Sequence, residues 1–236
     1  MSWIIDNTIP EQVCVAWFEL ENVTVRDQRP ELQAELAARG EELRSRHPDP
    51  ASAAPLFAAS RRLYHGFGLD PSKTRPSSEA LVRRILQGKG LFTVNTAVDA
   101  ANLTSIRHHR SVGLYDAGKI RPEIVPAGPG GASGAVAASS HRVILRPGRE
   151  GEQYPGIGKE MIHLHGRPAL FDLEGPFGNP SADSDRTKVT LETRSLLFVL
   201  YEPPGQPEEE VRSRLKLSWE ILRRHVGGEG GSEADR

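Results

Sequence analysis

The sequence predicts an α+β fold in which helices dominate the first 90 residues and short strands follow. Before residue 90, apolar residues recur at the three- and four-residue spacing of amphipathic helices. The later apolar runs are short and are bounded by glycine and proline, as strands are. The chain has 236 residues, which suits one substantial domain with separate helical and strand segments.

The first 60 residues predict a strand and helices that pack on the main domain. Alternating side chains over residues 12–25 indicate a mostly buried strand. Pro30 suits the first position of a helix, and the stretch from Glu31 to Arg46 is rich in helix formers. Residues 52–65 also have helical spacing.

Another helix is predicted to begin at Ser77, whose hydroxyl can cap it, and to end near Gly88. Glu79 lies in its first turn, where a negative charge favours the helix dipole. The apolar residues of this segment mark one buried face. That arrangement leaves Arg83 and Arg84 on the outside.

Short strands and turns are predicted beyond residue 90. The candidate strands are Leu91–Val94, Val143–Leu145, Met161–His165, Ala169–Leu173, Lys188–Leu191 and Leu196–Tyr201. Residues 126–140 are rich in alanine, glycine and serine without apolar periodicity, so we expect a flexible insertion there. A final helix is predicted after Pro207, and residues 227–236 lack the apolar side chains that would order a tail.

Composition excludes several classes of protein. Cys14 is the single cysteine, so an internal disulfide and a thiolate zinc site are both impossible. His163 and His165 share one face of a strand but have no predictable third ligand, and there is no phosphate-binding P-loop, so we expect neither metal nor cofactor. No apolar run approaches the roughly 18 residues of a membrane helix, and no signal-peptide pattern is present. We therefore expect a cytoplasmic protein that does not bind membranes.

Charge is unevenly distributed along the chain, although the net charge is only −1. Residues 1–60 carry 10 acidic and 5 basic side chains, a net of −5, whereas residues 61–90 carry 7 basic and 2 acidic side chains, a net of +5. Such a run is often only a solvated face, but a local basic patch can also attract phosphate. The arginines of this run are Arg61, Arg62, Arg75, Arg83 and Arg84.

Residues 95–116 interleave polar side chains with small apolar residues. Asn95, Asp99, Asn102 and Asp116 all lie in this stretch. Burying an amide or a carboxylate without partners costs a few kcal/mol. These side chains must therefore either tie loops together within the protein or present polar groups to a ligand.

A second unusual segment, residues 175–187, contains two glycines and two prolines within its first six residues. Asp183, Asp185 and Arg186 follow directly. One interpretation is a tight loop held by an Asp–Arg pair. The other is a recognition loop whose backbone N–H groups bind an anion or a carbonyl oxygen.

These motifs together resemble the B3/B4 domain of the phenylalanyl-tRNA synthetase β subunit in a free-standing form. The resemblance covers about residues 61–201, and we expect the domain itself to span residues 61–226. The matching stretches are Arg75-Pro-Ser-Ser-Glu-Ala-Leu, Val94-Asn-Thr-Ala-Val-Asp-Ala-Ala-Asn, Gly113-Leu-Tyr-Asp-Ala-Gly-Lys-Ile, Gly151-Glu-Gln-Tyr-Pro-Gly-Ile-Gly and the segment 175–187.

The resemblance implies a three-layer α+β domain around an unusual β-sandwich, with helices flanking it. In the synthetase this domain houses an editing pocket that hydrolyses tyrosine wrongly esterified to tRNA. A reactive ester needs only a placed water and oxyanion donors, which amides and backbone N–H groups can supply. By resemblance, the catalytic positions are Asn95, Asn102 and Gly178. The substrate-binding positions are Asp99, Asp116, Gly175, Asn179, Asp183 and Arg186, and the five arginines above would meet RNA phosphates.

Two positions depart from the family pattern. Ala101 replaces a threonine and Gly113 replaces a histidine, while the acidic residue that reads the tyrosine hydroxyl falls near Asp183. The leading hypothesis is a factor that binds tRNA and hydrolyses mischarged or non-standard aminoacyl-tRNA in trans. The alternatives are a non-catalytic RNA- or partner-binding module, which Gly113 favours, and a small-molecule enzyme using the same pocket.

Overall fold

The structure of the protein is a computed structural model that describes residues 2–126, 139–158 and 160–230. Its first part holds most of the helices: β1 (Ser2–Asn7), β2 (Cys14–Glu21), α1 (Pro30–Arg46), α2 (Ala58–Gly66), α3 (Ser77–Leu86) and α4 (Thr96–His108). Strands then dominate: β3 (Val112–Asp116), β4 (Glu123–Val125), β5 (Ser140–Pro147), β6 (Gln153–Pro155), β7 (Met161–His163), β8 (Pro168–Asp172), β9 (Gly175–Asn179), β10 (Ala182–Asp183) and β11 (Ser195–Glu202). The last helix is α5 (Glu208–Val226).

The strands form one large sheet, one central sheet and one small hairpin. The large sheet has the order β1-β5-β8-β9-β10, with β4 also paired to β5, and the central sheet has the order β2-β11-β3. Strands β6 and β7 form the hairpin. The α+β prediction is therefore confirmed.

Strand β11 shows why the protein is layered. Its residues Leu196, Phe198 and Leu200 belong to a core shared with α1, α3, α4 and α5. The alternate residues, Leu197 and Tyr201 among them, belong to a second core shared with the large sheet. Because both faces of this strand are buried, its sequence is continuously apolar. Helices, central sheet and large sheet thus form three layers, as the resemblance implied.

The N-terminal residues contribute a strand to each of the two larger sheets. β1 pairs in parallel with β5, and β2 pairs antiparallel with β11. The sequence indicated the second strand but not the first, which is short. The first 60 residues are therefore part of both sheets rather than an appendage to them.

Two predicted strands are wrong. Leu91–Val94 forms a loop, because Gly88 and Gly90 have φ values of 72° and 62° and the Val94 N–H donates to the Asp99 carboxylate. Lys188–Leu191 is irregular, with the Thr190 N–H held by the Thr193 hydroxyl at 2.9 Å. In both segments a backbone N–H group donates to a side-chain oxygen instead of to a neighbouring strand.

Both boundaries of helix α3 are close to the prediction, but its cap differs. Pro76 occupies the N-cap position, and no side chain, Ser77 included, forms a capping hydrogen bond there. Helix α5 begins directly after Pro207, as predicted.

The end of the described chain extends past the expected boundary at residue 226. Glu229 exchanges two backbone hydrogen bonds with Glu21, at 2.7 and 2.9 Å, so residues 227–230 lie along the edge of β2. Backbone pairing therefore holds this stretch without apolar side chains. Most of the predicted insertion, residues 127–138, and residues 231–236 lie outside the described residues. No helix in the described part of the chain is long and apolar enough to span a bilayer.

Candidate functional site

Asn95 begins helix α4 as its N-cap residue. Its side-chain oxygen accepts hydrogen bonds from the N–H groups of Ala97 and Val98, at 3.1 and 3.0 Å. Its amide nitrogen donates to the Val189 carbonyl at 3.4 Å, and the residue is only 4% exposed. Asn95 is therefore occupied in holding the helix start and a neighbouring loop.

Asp99 joins the preceding loop to helix α1. Its carboxylate accepts hydrogen bonds from the Val94 N–H at 3.0 Å and from the Gln33 amide at 2.9 Å. Burial raises the pKa of Asp99 above its ordinary value, while both hydrogen bonds act to lower it. The sequence predicted a ligand contact here, and the structure gives this carboxylate two internal partners.

Asp116 ends strand β3 and ties it to the loop before β11. One carboxylate oxygen accepts from the Gly118 N–H at 3.1 Å, and the other accepts from the Thr193 hydroxyl at 2.7 Å. The Lys119 ammonium lies 3.4 Å away. These bonds saturate a carboxylate that is almost buried.

Tyr115 fills the space between two glycines that the resemblance placed at the pocket. A Cβ at Gly113 or at Gly178 would overlap the Tyr115 phenol, so each glycine makes room for the ring. The ring meets Phe177 edge-on with 5.0 Å between centroids, and its hydroxyl lies 3.1 Å from that of Tyr201. Burial, with the Asp183 carboxylate nearby, raises the pKa of Tyr115 well above its ordinary value. The neutral phenol therefore fills the space beside Gly113 and Gly178.

The turn between β9 and β10 is held by its own side chains. The Asn179 side-chain oxygen accepts from the N–H groups of Ser181 and Ala182, at 2.7 and 3.0 Å. The Tyr64 hydroxyl donates to the Pro180 carbonyl at 2.8 Å. Two backbone donors that could have bound an anion are thus already used.

Arg186 forms an Asp–Arg pair, as one interpretation of the segment 175–187 predicted. Its partner, however, is neither Asp183 nor Asp185. Its guanidinium makes two bonds of 2.9 Å to Asp172 on β8 and a third of 3.2 Å to Glu174. Asp172 also accepts from the Gly175 N–H at 3.1 Å. Asp185 instead pairs with Lys188 at 2.8 Å.

Asp183 and Asn102 differ from the other polar positions. The Asp183 carboxylate lies 3.4 Å from the Leu114 N–H, and Asp183 pairs with Gly178 across the β9–β10 ladder. Asn102 lies on α4, which packs against β3, and is half-buried. Within the part of the chain that the structure describes, its amide forms no hydrogen bond. We call Asn95, Asp99, Asn102, Asp116, Asn179 and Asp183 the polar cluster; their roles toward a ligand stay predictions.

The predicted RNA-binding arginines gather around one carboxylate. Glu79 on α3 is fully buried and receives two bonds from Arg61, at 2.8 and 2.7 Å, and one from Arg83 at 2.6 Å. Arg75 lies 3.9 Å away. Burial acts to raise the pKa of Glu79, but the hydrogen bonds and charges of Arg61 and Arg83 outweigh it and bring the pKa below its ordinary value.

The remaining two arginines lie at the edges of this group. Arg62 is exposed and forms no ion pair with any described residue. Arg84 places its guanidinium 3.7 Å from the centroid of the Phe92 ring. We call Arg61, Arg62, Arg75, Arg83 and Arg84 the basic surface. Phe92 was not among the predicted site residues, because it belonged to a predicted strand; the glycines on either side of Lys89 were the available signal for a loop.

The two histidines at and just after the end of strand β7 are the candidate metal ligands of the sequence. His163 and His165 are both exposed, and the described residues contain no cluster of three His, Cys, Asp or Glu side chains that could hold a metal ion.

The comparison with known families agrees with the resemblance. The sequence profile of the B3/4 domain matches residues 59–220, and the chain belongs to the B3/4 domain family. No curated protein sequence matches the chain. Among solved structures, it is similar to the crystal structure of an N-terminal fragment of the phenylalanyl-tRNA synthetase β-subunit from Pyrococcus horikoshii, with 13% identity and a TM-score of 0.44. That alignment covers 98% of this chain and 52% of the fragment, so the chain spans about half its length.

Proposed function

We propose that this B3/4 domain protein binds tRNA in trans through the basic surface. The family resemblance supplies the class of ligand. The observation that carries the proposal is the excess of positive charge on helices α2 and α3 and the residues just before α3. Three of the five guanidinium groups, those of Arg61, Arg75 and Arg83, lie within 4 Å of the Glu79 carboxylate, and the five positive charges exceed that one negative charge by four.

The geometry suits phosphate contacts better than an internal structural role. Glu79 orients Arg61 and Arg83, whose side chains remain 35% and 25% exposed. Arg75 is 49% exposed, and Arg62 points to solvent without an ion-pair partner in the described chain. An RNA backbone supplies the phosphates that such guanidinium groups bind in a fork geometry. Contacts of this kind position RNA without reading its sequence.

The test is tRNA binding as a function of salt, measured for the wild type and for the double variant Arg62→Glu, Arg75→Glu. These are the most exposed arginines of the basic surface, so their replacement leaves the Glu79 bonds of Arg61 and Arg83 in place. We expect affinity to fall by at least tenfold and the salt slope to decrease by about one to two, because two phosphate contacts are lost. The control is Arg149→Glu, Lys216→Glu, which reverses two exposed charges elsewhere. Equal losses in both double variants would contradict the proposal.

Hydrolysis of aminoacyl-tRNA is the second candidate function, and Asn102 is the observation that favours it. Asn102 alone among the amides of the polar cluster has no hydrogen-bond partner in the described chain, so its donor is available to an ester carbonyl or a water. Against it stands Tyr115, which fills the space beside Gly178. Deacylation would therefore require the phenol to move.

Deacylation assays across a panel of charged tRNAs, cognate and mischarged side by side, separate the two candidates. If the protein is a hydrolase, Asn102→Ala should slow deacylation by one to two orders of magnitude, since removing one oxyanion donor costs on the order of a hundredfold. Its tRNA affinity should stay unchanged. If the wild-type protein binds tRNA but deacylates none of the charged tRNAs in the panel, hydrolysis is excluded and tRNA binding remains as the function.

A further inference from the structure

The loop between α3 and α4 presents an aromatic ring to solvent. Phe92 is 69% exposed, and Val94 two residues later is 55% exposed. Arg84 covers one face of the Phe92 ring at 3.7 Å. A large apolar side chain in this position contributes little to the core, so an explanation in terms of folding alone is weak.

The loop is anchored to the rest of the protein on both sides of Phe92. Leu91 packs on the core beside the exposed Phe92, and the Val94 N–H is bonded to Asp99. Asp99 also binds Gln33, whose amide oxygen accepts from the Thr93 hydroxyl at 3.4 Å. Because these contacts already anchor the loop, less of its conformational entropy is lost when a partner stacks on Phe92.

A cavity of about 240 Å³ lies against the same loop. It is lined by Leu36, Gly40, Arg44, Ile85 and Leu91 among others. This volume is below the roughly 300–1,000 Å³ of pockets for drug-sized ligands. Arg44 lines the wall, with Glu41 as its exposed partner at 2.7 Å.

We propose that Phe92 and Arg84 form a stacking platform for an unpaired base at the single-stranded 3′ end of tRNA. Unpaired bases stack on aromatic rings and guanidinium planes, and sequence-tolerant binding of this kind is common in proteins that bind single strands. Charge complementarity supports the same occupant: Arg84 follows Arg83 of the basic surface directly, and Lys89 precedes the ring by three residues. The proposal rests on the proposed tRNA-binding function and adds the part of tRNA that this loop contacts.

The experiment compares Phe92→Ala with wild type on two RNAs: full-length tRNA and the same tRNA without its unpaired 3′ nucleotides. Because the ring is exposed, the variant should fold normally. We expect Phe92→Ala to bind full-length tRNA about tenfold more weakly, in line with the loss of one stacked base, and to match the wild type on the shortened tRNA. Phe92→Tyr should retain the affinity, and Leu173→Ala, which removes a side chain that is 73% exposed elsewhere, should have no effect.

Two other results would overturn the inference in different ways. If Phe92→Ala binds both RNAs as the wild type does, while Arg62→Glu, Arg75→Glu still weakens binding, the platform is wrong and the tRNA-binding function stands. If the wild-type protein binds neither RNA, the proposed function and the platform both fail. An equal loss on both RNAs would place the Phe92 contact on a part of the tRNA other than its 3′ end and would also contradict the platform.

Discussion

The basic surface and the polar cluster differ in how much of their bonding capacity the protein itself uses. In the basic surface, three of the five arginines share one buried carboxylate and the other two do not contact it, so cationic groups remain for an outside partner. In the polar cluster, Asn95, Asp99, Asp116 and Asn179 each have at least two internal hydrogen bonds. The residue types suggested a ligand site in both regions. The number of internal hydrogen-bond partners favours a ligand site only in the basic surface.

An unusual polar motif can thus serve to hold parts of the same protein together instead of binding a ligand. A buried carboxylate or amide requires partners, and here the partners are backbone N–H groups at a helix start and at two turns. Such motifs are as specific in sequence as a binding site is. Stability measurements therefore distinguish the regions before any ligand is known.

The largest expected effect is that of Glu79→Gln. The variant replaces the Glu79 carboxylate by a neutral amide, so the guanidinium groups of Arg61 and Arg83 lose their negatively charged partner. We expect the free energy of unfolding to fall by about 2–4 kcal/mol, less than for a fully buried pair because the arginines are partly exposed. The control Glu123→Gln, in an exposed pair with Arg142, should change it by less than about 1 kcal/mol. Denaturant titration measures both, and equal small effects would mean that Glu79 does not organise this surface.

The same variant has a predicted pH dependence. The pKa of Glu79 is lower in the folded protein than its ordinary value of 4.5. A carboxyl of this kind stabilises the fold fully above its unfolded pKa, and the contribution is lost as pH falls through the folded pKa. The stability difference between wild type and Glu79→Gln should thus be constant at neutral pH and shrink below about pH 4.5. A difference that grows in acid would contradict the sign of the shift.

Gly178→Ala tests whether the space beside the polar cluster is truly filled. The new Cβ would overlap the Tyr115 phenol, and overpacking of this kind costs about 1–3 kcal/mol. Gly40→Ala on α1 is the matched control, since its Cβ would lie 3.6 Å from the nearest atom and alanine favours the helix. A Gly178→Ala protein as stable as the wild type would show that Tyr115 leaves this position, and would reopen the polar cluster to a substrate.

The smallest expected effect is the difference in stability between the alanine variants of Asn95 and Asn102. Asn95→Ala removes the N-cap of α4 and should cost about 1 kcal/mol of stability. Asn102→Ala, seven residues further along the same helix segment, removes no hydrogen bond within the described chain and should cost less than about 0.5 kcal/mol. Thermal unfolding of the two variants checks this order. The opposite order would assign the structural role to Asn102.

The elements with strong periodicity were predictable, whereas the partners of side chains were not. The strand over Leu196–Tyr201 and the helix after Pro207 were predicted correctly, because the pattern of apolar residues determines both elements. The apolar run Leu91–Val94 was misassigned, because a run of four residues cannot reveal that Asp99 bonds its backbone. Nor can spacing show that Arg186 selects Asp172 over nearer acids, since that choice depends on how the helical turn at residues 185–187 packs against the end of β8.

Mapping of backbone amide chemical shifts during titration with uncharged tRNA tests the contrast between the two regions most directly. The account predicts shifts in residues 61–84, on the basic surface, and in the loop 88–94. Residues 175–183 and the start of α4 should stay unchanged, because their donors are already bonded within the protein. Shifts confined to residues 175–183 and to the neighbourhood of Asn102, with none on α2 and α3, would contradict it.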